Sequence, residues 1–167
     1  MKLKRAHLYL RQYPRLIRQI NRLVELVQRE DPNVALLALF GSTARLEPRA
    51  ISDADVLVLL HDSRSLHEVG KTAKILRLLG IAEDAPQQEW CDWSFSMIDG
   101  NAQASDLDED FVSIVGQDGV LLYQQAGASL PPALAALTPY AVWLERVQTL
   151  LAGAERMVAA QAAKVAS

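Results

Sequence analysis

The chain is 167 residues long, which is enough for one domain with a buried core, and 50% of its residues are hydrophobic. No apolar stretch reaches the roughly 18–20 residues that span a bilayer, and no apolar segment follows the basic N-terminus as in a secretory signal. The single cysteine, Cys91, excludes an intrachain disulfide, and the three scattered histidines form no zinc motif. We therefore expect a cytoplasmic protein without membrane association.

The net charge is −3, but the charges are unevenly distributed along the chain. The first 22 residues contain seven basic side chains and no acidic one, which leaves ten basic and twenty acidic groups for the rest. Such a segment can bind nucleic acid or an acidic partner. The helical spacing of Leu16, Ile20 and Leu23 favours the alternative, an amphipathic helix whose arginines face solvent. The basic residues are Lys2, Lys4, Arg5, Arg11, Arg15, Arg18 and Arg22.

The predicted elements alternate between helices and strands. Pro14 suits the first turn of a helix, and the helical spacing continues to about Glu30, where Asp31-Pro32 ends it. Two short apolar runs bounded by turn-forming residues predict buried strands. The strands cover about 34–40 and 53–60, followed by a helix over about 65–79, a strand over 88–97, a helix over 107–115, a strand over 120–123 and a helix over 139–163.

This order of elements predicts an α+β fold with a small mixed β-sheet of about four strands and helices mainly on one side. We expect an N-terminal basic amphipathic helical segment (residues 1–32), a core (33–127) and a C-terminal helical extension (128–167). The apolar surface of the last helix exceeds what a small domain can cover. That helix is therefore expected to pack on the core or to form a contact in a homo-oligomer.

A Gly-Ser pair follows the first predicted strand, and two aspartates open the second. Asp53 and Asp55 are two positions apart, so in a strand both carboxylates lie on one face. Two such carboxylates repel each other unless a cation lies between them, and magnesium is the cation that prefers hard oxygen ligands. Gly41 and Ser42 would offer backbone N–H groups and a hydroxyl to a phosphate. The pattern predicts chemistry on a nucleoside triphosphate.

The order and spacing of these residues resemble the signature of the DNA polymerase beta nucleotidyltransferase superfamily, in particular its minimal free-standing members. The signature reads here as Gly41-Ser42, ten further residues and Asp53-Ala54-Asp55. The resemblance spans about residues 34–123. It implies a nucleotidyltransferase fold and an enzyme that uses magnesium and a nucleoside triphosphate. Flanking residues that agree with it are Phe40, Ala44, Arg45, Ser52 and the segment Asp118 to Tyr123.

The resemblance implies that Asp53 and Asp55 hold two magnesium ions. It also implies a third carboxylate on a neighbouring strand, which would complete the metal site and help to take the proton of the acceptor. Asp92 fits this role, because it lies between apolar residues of the predicted third strand. The competitor, Asp99, precedes Gly100 in a predicted turn. The alternative for Asp92 is a salt-bridged residue on a solvated strand face.

The resemblance gives the residues after the first strand a role in nucleotide binding. Gly41 would let the backbone approach a phosphate closely, and Ser42 would donate to the β- or γ-phosphate. Arg45 would neutralise the charge of the pyrophosphate leaving group, with a surface helix arginine as the alternative. Relatives often have glycine after this arginine, whereas this chain has Leu46, so the local turn is expected to differ.

The family members that resemble this chain most in size and spacing are antitoxins that pair with HEPN toxins and transfer AMP to a toxin tyrosine. The resemblance thus implies ATP as substrate and a separate HEPN-type partner, because the chain has no Arg-x(4–6)-His element of its own. Alternative acceptors are a small molecule such as an aminoglycoside, or RNA, which only the basic N-terminal segment supports. Two other function classes stay open, a domain that binds nucleotide or a partner without turnover and a structural scaffold.

Overall fold

The computed structural model describes residues 2–48, 53–61, 70–72, 93–99 and 109–166. Helices and strands alternate through these ranges, with a long helix at each end. The helices are α1 (Leu3–Glu30), α2 (Gly41–Ala44), α3 (Glu109–Asp118) and α4 (Tyr140–Ala166), with a 3-10 turn at Pro132–Leu134. The strands are β1 (Val34–Phe40), β2 (Ala54–Leu60), β3 (Trp93–Asp99), β4 (Val120–Gln124) and β5 (Thr138–Pro139).

Helix α1 begins well before the predicted start at Pro14, so that predicted boundary is wrong. Pro14 lies inside the helix, and the buried stripe continues before it at Ala6, Tyr9 and Tyr13. Because tertiary packing of such a stripe supplies most helical stability, it offsets the hydrogen bond that an internal proline removes.

The basic residues of α1 lie on its solvated side, except for Arg15, which is half-buried. Arg11, Arg18 and Arg22 are exposed, while Leu16 and Ile20 on the opposite side are buried. This arrangement agrees with the amphipathic-helix interpretation of the basic segment.

The strands form one mixed five-stranded sheet in the order β3-β2-β1-β4-β5. Strand β1 pairs antiparallel with β2 and β4, whereas β2 pairs parallel with β3 and β4 pairs parallel with β5. The predicted α+β class and mixed sheet are confirmed. Strand β5 was not predicted, because two residues are too short to show alternation and Pro139 disfavours a strand.

Hydrophobic cores lie on both faces of the sheet. Helices α1 and α4 cover the first face, where Leu16, Leu37, Val58 and Trp143 belong to one buried cluster. Helix α3 and the 3-10 turn cover the second face, with Val115 among the buried residues there. The two long helices therefore lie on one side of the sheet, and the shorter helical elements lie on the other. Residues from all of the expected segments (1–32, 33–127 and 128–167) share the first core.

Strand β3 lies at one edge of the sheet. Trp93 and Phe95 pack against the first core, and their rings stack with centroids 5.7 Å apart. Met97 lies on the same face of the strand by alternation, but it is 39% exposed. An edge strand has a neighbour on one side only, so fewer side chains cover it.

Several predicted segments lie partly outside the described residues. Of the helix expected over 65–79, the structure describes residues 70–72, which are helical. The strand expected over 88–97 and the helix expected over 107–115 are described from Trp93 and Glu109 onward. None of the helices in the described ranges has the length and hydropathy of a membrane span.

Candidate active site

The Gly-Ser pair and the two aspartates meet where β1 ends and β2 begins. Gly41 starts α2 directly after β1, and Asp55 pairs across the two strands with Phe40. Ala54 is buried in the first core, whereas Leu57 is buried in the second. Because strand side chains alternate, Asp55 lies on the second face of the sheet. Asp53 lies just before the strand and is exposed to solvent.

Gly41 is the residue of this turn that touches the carboxylate. Its φ is +74°, a left-handed conformation that glycine adopts without a steric penalty. A Cβ atom at this position would lie 2.5 Å from Oδ2 of Asp55. The absence of a side chain at Gly41 therefore permits both the turn and the close contact of its backbone with Asp55.

The two aspartates form a like-charge pair. Partial burial raises the pKa of Asp55, and the charge of Asp53 raises it further. Such a pair has the hard oxygen donors that Mg²⁺ prefers, and a bound cation would remove the repulsion. Among the described residues, no third His, Cys, Asp or Glu joins the pair to form a metal-binding group.

The two candidates for the third carboxylate have different positions. Asp92 lies outside the described residues. Asp99 is the last residue of β3 and pairs with Leu60 at the far end of β2, and the rest of the turn predicted for it, from Gly100 onward, lies outside the described residues. A strand rises about 3.3 Å per residue, which puts the backbone of Asp99 roughly 16 Å beyond the position of Asp55. Asp99 is therefore too far away to share a metal ion with Asp55.

Hydrogen bonds within the loop of residues 41–47, here called the Gly-Ser loop, close it on the Gly-Ser pair. The Arg45 N–H donates to the Gly41 carbonyl (3.2 Å), and the Glu47 N–H donates to the Ser42 carbonyl (2.8 Å). The buried Thr43 hydroxyl donates to the carbonyl of Asp53 (2.9 Å), which ties the loop to the start of β2. This contact was not predicted, although Thr43 directly follows the Gly-Ser pair.

Three aromatic side chains from the long helices also donate to the Gly-Ser loop. The Tyr9 hydroxyl donates to the Leu46 carbonyl (3.0 Å), and the Tyr13 hydroxyl donates to the Thr43 carbonyl (3.2 Å). From α4, the indole Nε1 of Trp143 donates to the Ala44 carbonyl (3.0 Å). Local sequence patterns do not indicate these contacts, because the partners are 37, 30 and 99 residues apart.

Arg45 lies beside the carboxylate of Asp118 at the end of α3. Its Nη1 is 3.5 Å from Oδ2 of Asp118, and its Nε is 3.9 Å from Oε2 of Glu47. Both ion pairs are exposed and therefore weak. Arg45 lines a cleft of about 320 Å³ together with Arg146, and neither Asp53 nor Asp55 lines that cleft. The described ion pairs of the guanidinium are thus with Asp118 and Glu47.

Leu46, where the local turn was expected to differ, has a left-handed backbone conformation. Its φ is +62°, and its half-buried side chain packs against the first core. A non-glycine residue pays about 1–2 kcal/mol in this conformation. The glycine that relatives carry here would avoid that cost, whereas this chain retains the hydrophobic contact.

Substitutions at Leu46 should separate the backbone cost from the packing. Leu46→Gly is expected to change the free energy of unfolding by less than about 1 kcal/mol, because relief of backbone strain offsets the lost apolar contact. Leu46→Val is expected to destabilise by about 2 kcal/mol, because a β-branched residue fits a left-handed backbone poorly. Urea unfolding of both variants checks this order. A valine variant more stable than the glycine variant would contradict the expected cost of the left-handed backbone.

Comparison with known proteins finds a family model that matches part of the chain. The model of the nucleotidyltransferase domain matches residues 20–89, a range that includes the Gly-Ser pair, Arg45, Asp53 and Asp55 and ends before Asp92. No curated protein matches the chain at a significant level.

Three similar solved structures have low sequence identity to the chain. A putative nucleotidyltransferase from Sulfolobus solfataricus is 16% identical, with 75% of this chain and 93% of that chain covered and a TM-score of 0.44. The structure of a tri-AMPylated Shewanella oneidensis HEPN toxin in complex with an MNT antitoxin gives 15% identity. The match covers 87% of this chain and 88% of that chain, with a TM-score of 0.39. A toxin-antitoxin with AMP-PNP is 16% identical, with 87% of this chain and 90% of that chain covered and a TM-score of 0.41. The match of residues 20–89 to the nucleotidyltransferase domain model agrees with the enzyme class predicted from the Gly-Ser and Asp-x-Asp spacing.

Proposed function

We propose that this protein is a magnesium-dependent nucleotidyltransferase that transfers AMP from ATP to a hydroxyl acceptor and releases pyrophosphate. The observation that carries the proposal is the contact between Gly41 and Asp55. A Cβ at Gly41 would lie 2.5 Å from the Asp55 carboxylate, so a loop suited to phosphate directly adjoins a pair of carboxylates suited to a metal ion.

The aspartates are the proposed metal ligands. Asp53 and Asp55 would hold magnesium, and Asp92 would complete a site for two ions. In support of Asp92, the residue that follows it in sequence, Trp93, pairs with Ala54 between the two aspartates. Bound magnesium would neutralise the triphosphate and lower the pKa of the acceptor hydroxyl.

The proposed reaction is an in-line displacement at the α-phosphorus of ATP. The acceptor oxygen forms a bond to this phosphorus, the bond to the β-phosphate oxygen breaks, and pyrophosphate leaves. Asp92 would accept the proton of the hydroxyl. Gly41 and Ser42 would bind the β- and γ-phosphates, and Arg45 would leave Asp118 to neutralise the leaving group, which costs little because its ion pairs are exposed.

The acceptor that we propose is a tyrosine hydroxyl of a separate HEPN-type toxin in the cytoplasm. The support is the resemblance of this chain to HEPN-paired antitoxins in size and signature spacing. An AMPylated toxin is also the partner in the Shewanella oneidensis complex.

Labelled nucleotides test both the reaction and the acceptor. The purified protein is incubated with magnesium, a cell extract and ATP, GTP, CTP or UTP labelled at the α-phosphate. We expect label from ATP on a protein tyrosine and none without magnesium. Label on RNA or on a small molecule would overturn the proposed acceptor. The absence of any transfer, together with Asp53→Ala binding magnesium and ATP as the wild type does, would overturn the enzyme itself.

A further inference from the structure

We propose that Tyr9, Tyr13 and Trp143 are positioning residues that hold the Gly-Ser loop in its phosphate-binding conformation. The two long helices would then be a working part of the nucleotide site and not only a cover for the sheet. This inference rests on the proposed function, because it assigns the loop to the phosphates.

The hydrogen bonds show which peptide groups these side chains orient. A planar trans peptide directs its carbonyl and the next N–H in opposite directions. The indole of Trp143 fixes the carbonyl of Ala44 and thereby aims the Arg45 N–H at the Gly41 carbonyl. In the same way, the Tyr9 hydroxyl fixes the carbonyl of Leu46 and aims the next N–H at Ser42.

The carbonyls at the end of α2 accept hydrogen bonds from the long helices, because the last turn of a helix leaves its carbonyls without an intrahelical donor. Thr43 and Ala44 are buried, so solvent does not reach their surroundings freely. The Thr43 carbonyl accepts the Leu46 N–H within the loop (3.2 Å) and a second bond from the Tyr13 hydroxyl, and the Ala44 carbonyl accepts the indole N–H of Trp143. Tyr13 and Trp143, each 1% exposed, are thus buried donors to this end of the loop.

The positioning residues also pack on one another across the two helices. The ring centroids of Tyr9 and Tyr13 are 5.7 Å apart, and those of Tyr13 and Trp143 are 6.0 Å apart. Because the rings come from both α1 and α4, the donors keep their positions only while the two helices stay packed together. The conformation of the Gly-Ser loop thus depends on the α1–α4 contact.

The double variant Tyr9→Phe/Tyr13→Phe tests the inference, because it removes two hydroxyls and keeps both rings. Tyr140→Phe is the matched control. The Tyr140 hydroxyl also joins α4 to α1, through Asn21 Oδ1 at 3.3 Å, and its ring stacks on Trp143, but it does not contact the loop. Each variant is compared with the wild type by amide hydrogen exchange without nucleotide and by binding of AMP-PNP and AMP with magnesium.

We expect the double variant to exchange the Glu47 amide about tenfold faster and to bind AMP-PNP about tenfold more weakly. AMP binding should not change, since AMP lacks the β- and γ-phosphates, and Tyr140→Phe should match the wild type throughout. A purely structural role would shift stability without this difference between the two nucleotides.

The possible failures are distinguishable. If the double variant exchanges its loop amides and binds AMP-PNP like the wild type, the inference is overturned and the proposed function stands. If the wild type itself does not bind AMP-PNP with magnesium, the proposed function is overturned, and the inference with it.

Discussion

Asp55→Asn is expected to lower nucleotidyl transfer about a thousandfold, which corresponds to about 4 kcal/mol of transition-state stabilisation, the order expected for loss of a metal-binding carboxylate. Asparagine keeps the size of the side chain next to Gly41 but removes the negative charge that would hold magnesium. The rate of label transfer from ATP at saturating magnesium measures the effect. The control Glu25→Gln makes a similar carboxylate-to-amide change at an exposed position of α1 and should transfer at the wild-type rate.

The same variant should be at least as stable as the wild type when metal is absent. The raised pKa of Asp55 means that its ionised form costs stability in the folded protein. That cost is fully present above the raised pKa and is gone below the ordinary carboxyl pKa of 3.8. In EDTA at pH 7, Asp55→Asn should therefore melt at or above the wild-type temperature, and the difference should shrink in acid. A variant that is inactive because it is unfolded would contradict this account.

Gly41→Ala is expected to reduce transfer about a hundredfold, because a displacement of reacting groups by about 1 Å costs on this order. The new methyl group would lie 2.5 Å from Oδ2 of Asp55, so either the carboxylate or the loop must move. Alanine also pays about 1 kcal/mol for the left-handed backbone. The transfer assay and urea unfolding are measured together.

Gly127→Ala separates these two effects. Gly127 has a φ of +78°, close to that of Gly41, but a Cβ at this position would meet no atom within 4 Å. This control should lose about 1 kcal/mol of stability and keep full transfer activity. If Gly41→Ala retained half of the wild-type rate, the close approach of the loop to Asp55 would not matter for the reaction.

Local patterns in the sequence predicted the part of the molecule that is built from neighbouring residues. Strands β1 and β2 follow from short apolar runs, and the positions of Gly41 and Asp55 follow from the ends of those strands. The start of α1 was predicted wrongly, because proline is a strong local signal and the burial of Tyr9 is a tertiary effect. Strand β5 was too short to leave a pattern.

Other features of the site depend on pairings between distant residues. The exclusion of Asp99 requires the parallel register of β2 and β3, which alternation within one strand does not contain. The contact of Trp143 with Ala44 joins residues 99 positions apart. The left-handed φ of Leu46 was not predicted, because the glycine of relatives led only to the expectation of a different local turn.

The dependence of the Gly-Ser loop on Trp143 has a consequence for the protein during its own synthesis. Ribosomes add about 5–20 residues per second, so the chain that carries Ala44 waits roughly 5–20 seconds before its indole partner, 99 residues later, is made. Throughout that time the apolar stripe of α1 lacks the helix that covers it. A nascent chain therefore has the complete Gly-Ser and Asp-x-Asp signature without a finished loop, and the capacity to use nucleotide would arise only after the start of α4, which carries Trp143, has been translated.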